Sequence, residues 1–120
     1  MTGKNSDPSI TSVEFAQYTT LLPLVEAMHD DIRELSRKNQ NAAISKSRIA
    51  MINRRLGDLK KLLNREPTAP YLELLDEETV PQNADVLLIL GQFKAALDQF
   101  KEKYTYYDED EEDTYWNVTK

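Results

Sequence analysis

Residues 36–45, SRKNQNAAIS, interrupt two stretches of helical periodicity, and the path of the chain through them decides what is built. Before them, Leu21, Val25, Met28, Ile32 and Leu35 recur at alternating steps of four and three, which sets them along one stripe of a helix, with Glu34 and Lys38 paired on its outer side. After them, Ile49, Ile52, Leu56, Leu59 and Leu63 repeat that step in a shifted phase. Either the chain turns at 39–41 and the two stripes bury each other, or one long helix continues through a stutter and needs a second chain to cover it. No Gly or Pro forces the turn. The hairpin is the expected form because it hides both stripes within one molecule.

Upstream, Thr11 and Glu14 have the spacing of a capping box, so a short helix through Phe15 and Tyr18 is predicted to begin there. A break near Thr19 or Thr20 and a fresh start around Leu22 follow from Pro23, which lacks an N–H and is tolerated only in a first turn. Residues 1–10, MTGKNSDPSI, are small and polar and are expected to be a disordered leader. Downstream, Pro67 and Pro70 end the second helix, and residues 71–75, YLELL, read as a short apolar turn lying over an open edge of the core. Asn83 is the expected cap of the last helix, whose Val86, Ile89, Leu90, Phe93, Leu97, Phe100 and Tyr104 share one face. The fold class expected is therefore all-α: a small helical bundle over residues 11–104, made of a helical hairpin and a C-terminal helix.

A chain of 120 residues has room for one core, and 40% hydrophobic with 30% charged residues is ordinary for a folded helical protein. There is no Cys, which excludes disulfides and thiolate metal sites, and the longest apolar runs are five residues, far below the ~20 that span a bilayer. A cytoplasmic protein with no membrane contact is the expectation. The net charge of −6 conceals a segregation: residues 37–65 hold nine Lys or Arg against one acid, Asp58, whereas residues 108–113 are six consecutive carboxylates. Charge placed in this way speaks about partners rather than fold.

Reactive chemistry finds little footing. Glu26 and His29 form an ExxH step, half of what a di-iron carboxylate bundle supplies, but His29 is the one histidine and a second copy would have to complete the set. The acidic pairs Asp31/Glu34 and Glu73/Asp76 lack the denser array of a Mg²⁺ pyrophosphohydrolase, and neither a nucleophile elbow nor a phosphate-cradling glycine loop is present. No cofactor, metal or small-molecule substrate is expected. A metal-dependent enzyme on Glu26 and His29 ranks third among the readings.

Two surfaces carry the functional expectation. On the last helix Leu87, Leu88, Gly91 and Ala95 project away from the core face, and Gly91 with Ala95 makes a small step on which another backbone could approach. On the second helix Arg54, Lys61 and Arg65 form an outward basic band, while Arg48 and Arg55 flank the apolar stripe. The acidic tail, residues 105–120, is expected to be disordered, its carboxylates Asp108, Glu109, Asp110, Glu111, Glu112 and Asp113 meeting a basic surface with Tyr115 and Trp116 among the anchors. That surface is expected to be the molecule's own Arg54/Lys61/Arg65 band. The leading reading is a non-enzymatic protein-interaction or assembly module, a homo-oligomer or one with a protein partner. The runner-up is a nucleic-acid-associated regulator that binds through residues 46–65 and is gated by the tail.

Overall fold

In the computed structural model, which describes residues 7–119, three α-helices dominate: α1 (Ser12–Lys38), α2 (Lys46–Leu62) and α3 (Asn83–Tyr104). Helix α1 starts at the predicted box, Thr11 Oγ1 accepting from Glu14 N at 3.1 Å and Glu14 Oε1 accepting from Thr11 N at 2.9 Å. The predicted break before Pro23 is absent. Thr19 and Pro23 both lie on the exposed side, so the lost helical bond falls where water reaches it, while Tyr18, Leu21, Val25 and Ile32 stay buried along the opposite side.

The chain does turn after α1, as the hairpin reading requires, and asparagines supply what Gly or Pro would have given. Asn39 Oδ1 accepts from Asn41 N at 3.1 Å, and Ser45 Oγ accepts from Arg48 N at 3.3 Å to cap α2. The turn is then clamped by the start of α3. Asn83 N donates to Ala42 O at 2.9 Å, Ile44 N to Pro81 O at 3.0 Å, and the Asn83 side-chain amide to Asn39 O at 2.9 Å. Asn83 is thus a buried tie and not the cap; Gln82 holds the cap position, with its N–H given to Asp85.

Both α2 and α3 run antiparallel to α1. Arg65 reaches Glu14 at one end of the hairpin, and Tyr18 stacks on Phe100 at the far end of the α1/α3 pair from the Asn39/Asn83 tie. The core between the three helices contains Val25, Ile49, Leu56, Leu59, Leu63, Val86, Leu90, Phe93, Leu97 and Phe100, each essentially removed from water. Of the predicted cover at 71–75, Leu72 and Leu75 pack over an edge of α2 while Tyr71 and Leu74 face water. Leu72 and Leu75 are buried, Asn53 pairs twice with the Leu75 backbone at 2.8 and 2.9 Å, and Lys60 Nζ donates to Leu72 O at 2.9 Å.

The acidic C-terminal segment is where the structure departs from expectation. Instead of a tail without fixed structure, β2 (Thr105–Asp108) and β3 (Asp113–Trp116) pair antiparallel, and β4 (Val118–Thr119) lies parallel to β1 (Ile10–Thr11). The reason lies in the flanks of the carboxylate run: Thr and aromatic side chains on both sides favour strand, and Glu109 to Glu112 fall in the turn, where they remain in water, while Asp108 closes β2 and is buried. Asp108 Oδ1 accepts from Asp110 N at 2.9 Å and from Glu111 N at 3.3 Å, and Glu112 takes φ 53° to complete the reversal. The expected leader is likewise tied at its end: Ile10 is buried against Val118, and Asn117 Nδ2 donates to Pro8 O at 2.9 Å. The rest of that leader, residues 1–6, lies outside the described residues.

Candidate functional site

An apolar groove of about 500 Å³ lies between α1 and α2, lined by Met28, Asp31, Ile32, Glu34, Leu35, Arg48, Met51 and Ile52. Its floor is the outer edge of the two stripes that make the hairpin. Met51 is 52% exposed and Leu24, one turn before Met28 on the same side of α1, is 43% exposed, so the apolar strip continues beyond the groove. Unbranched thioethers adapt to irregular partners, which suits a site that receives side chains. The rims differ in sign: Asp31 and Glu34 stand on α1, Arg48 on α2, and Glu34 is held by Arg37 at 3.4 Å.

Sequence reasoning places the partner face on α3. There Leu88 is 65% exposed and Ala95 is exposed, whereas Leu87 is half-buried and lines a shallow, mostly polar depression with Arg33, Ser36 and Arg37. A Cβ on Gly91 would meet nothing within 4 Å, so among the described residues no other backbone uses the small step it makes with Ala95. The exposed apolar surface of α3 is thus a single leucine beside small residues. The groove was missed because Met28, Leu35 and Ile52 read as core; the available signal was Leu24 and Met51, apolar residues one helical step outside the two stripes.

The basic band is open. Arg48, Arg54, Lys61 and Arg65 are exposed, Arg55 is half-buried and pairs with Asp58 at 3.6 Å, and Arg65 pairs with Glu14 at 2.5 Å. The Glu14 carboxyl lies below its ordinary value: burial pushes it up, but the Thr11 N–H first and Arg65 next outweigh this. Among the described residues no salt bridge joins the acidic turn to α2. The expected self-masking is therefore not the arrangement found. Trp116 anchors the hairpin on another surface, its ring 5.3 Å from Phe15, 4.8 Å from Tyr18 and 6.3 Å from Phe100. Asp108 is buried, while Glu109, Asp110, Glu111, Glu112 and Asp113 stay exposed, and Tyr115 O–H donates to Glu111.

Glu26 is exposed, and His29 lies half-buried beside Lys94 and Arg33 with its Nδ1 buried and unpaired. Burial, then Lys94, then Arg33 push the imidazole below its ordinary value of 6.5, against a smaller opposing pull from Asp30. Among the described residues no three His, Asp or Glu side chains gather as a metal site, and no helix is long and apolar enough to cross a membrane. A histidine whose pKa is depressed on folding contributes stability above its unfolded pKa and loses it as pH falls through the folded value. The urea midpoint is accordingly expected to drop between pH 7 and 5, and His29→Leu to remove part of that drop; an identical pH profile in the variant would contradict the assignment.

No protein-family model, curated protein or solved structure matches this chain.

Proposed function

We propose that this protein is a non-enzymatic interaction module: the groove between α1 and α2 receives apolar side chains of a helical protein partner, and the acidic turn at 109–113 engages a basic surface on what is bound. The observation that carries this reading is the open groove itself, where methionine and leucine side chains at the edge of an otherwise closed core face water between rims of opposite charge. Groove recognition of a helix asks for apolar pockets at helical spacing with charged edges that fix orientation. The acidic turn adds long-range attraction, because its carboxylates are held out at a hairpin tip and are not neutralised by α2. A cysteine-free composition is in keeping with a cytoplasmic setting. The nucleic-acid reading keeps a basis in the uncovered Arg54 and Lys61, but gating by the tail has no support, since the hairpin is anchored elsewhere.

The test is affinity capture from the source organism with the full chain as bait. Wild type is expected to retain a protein that Met51→Glu loses while far-UV circular dichroism stays unchanged, and retention is expected to weaken as salt rises from about 0.05 to 0.5 M. Equal retention by Met51→Glu would sink the groove reading.

A further inference from the structure

We propose that the occupant of the groove is a second copy of this chain, paired about a two-fold axis that runs along the helical hairpin; the inference rests on reading the groove as a protein-binding site. Charge complementarity between the two rims favours a second copy. The two helices of the hairpin are antiparallel, the acidic rim (Asp31, Glu34) belongs to α1 and the basic rim (Arg48) to α2. A half turn about an axis parallel to the helices lays α1 of one copy against α2 of the other without changing height. Glu34 and Asp31 then face Arg48 of the second copy, and symmetry makes each attraction twice. A half turn about an axis across the helices and centred on the groove does the opposite, setting the acids against their own copies. The charges therefore select one arrangement of the two.

The apolar content fits the same arrangement. Met51, too exposed to belong to its own core, enters the groove of the other copy beside Met28 and Leu35, and the four helices pack as a bundle closed over a Met/Leu layer. A buried apolar anchor ringed by charged edges is also how binding energy concentrates on few residues.

Sedimentation equilibrium of the full chain tests this. Wild type is expected to be a dimer at micromolar concentration, Met51→Glu to weaken pairing by at least about 100-fold, and Arg48→Glu or Glu34→Arg each by about tenfold. The double variant Arg48→Glu/Glu34→Arg, which restores opposite signs across the interface, is expected to recover most of that loss. Circular dichroism at 222 nm confirms that each variant is folded. A wild type that stays monomeric at about 200 µM overturns the proposal. So does a dimer indifferent to Met51→Glu but broken by Leu88→Glu, which would place pairing on α3, and so does a double variant weaker than both singles. A monomeric wild type that still captures a partner through Met51 removes the second copy and leaves the groove reading standing; a monomer that captures nothing removes both.

Discussion

Truncating the chain after Tyr104 is expected to lower its unfolding free energy by about 3–5 kcal/mol, the range seen when a packed Trp or Phe is cut to Ala. Residues 105–120 hold 108–113, the most charged stretch of the sequence, and a solvated tail could be removed at no cost. Here the segment also carries Trp116, whose ring packs among Phe15, Tyr18 and Phe100, and Val118, which pairs with the buried Ile10. Aromatic pairs of this geometry add about 0.5–1.5 kcal/mol beyond the area they bury. The carboxylates oppose this weakly, because at an exposed turn their mutual repulsion is screened by water and salt. Apolar packing wins. Urea titration at 222 nm is expected to give a lower midpoint for the truncation, with Trp116→Ala reproducing most of the loss and Glu109→Gln/Asp110→Asn none of it. Trp116 is the single tryptophan, so its fluorescence reports the same transition in the full chain. Equal midpoints for the full and truncated chains would show that the hairpin does not pack on the helices.

The contrast marks where the sequence is legible. Helical stripes are periodic, and apolar side chains at steps of three and four have one economical use, so the hairpin, the α3 core face and the cover at 72–75 could be read without coordinates. Caps were readable where a local pair sets them, as at Thr11 and Glu14, but not where tertiary contact takes the residue for another purpose, as with Asn83. Pro23 misled for the same reason: its local cost is outweighed by a continuous buried stripe on the opposite side of α1. The β-hairpin was hidden by composition, the acids of the turn drawing attention from the strand-forming residues beside them. The groove was hidden because exposure at the edge of a stripe depends on how closely two helices approach, and periodicity carries no distance.

Glu66→Ala is expected to cost about 3 kcal/mol, the low end of what breaking a buried charged pair costs. Glu66 sits just beyond α2 in the turn toward residues 69–71 and is 7% exposed, yet it is an acid. Its carboxylate accepts from Tyr104 O–H at 2.7 Å and from Lys103 Nζ at 3.3 Å, tying the end of α2 to the last turn of α3 immediately before the β-hairpin. Removing it strands the buried Tyr104 hydroxyl without an acceptor. Lys103, whose side chain is 39% exposed, turns to water instead, which keeps the cost at the lower end of the range. Tyr104→Phe is milder, about 1–2 kcal/mol, because the carboxylate keeps its lysine. If the contact is what matters, the Glu66→Ala/Tyr104→Phe pair will show less than the sum of the two losses, a coupling of at least about 0.5 kcal/mol. The same contact has a pH signature. Burial first, and the Glu66 carboxylate second, hold the Tyr104 phenol above its ordinary value of 10.0. A group raised on folding contributes stability below its unfolded pKa and loses it as pH rises through the folded one, so the full chain weakens above about pH 10. Tyr18, also raised chiefly by burial, shares that alkaline loss and supplies the control. Tyr104→Phe is expected to remove part of the loss and leave the Tyr18 part, whereas additive losses in the cycle together with an unchanged alkaline limb would mean that Glu66 is buried for packing alone.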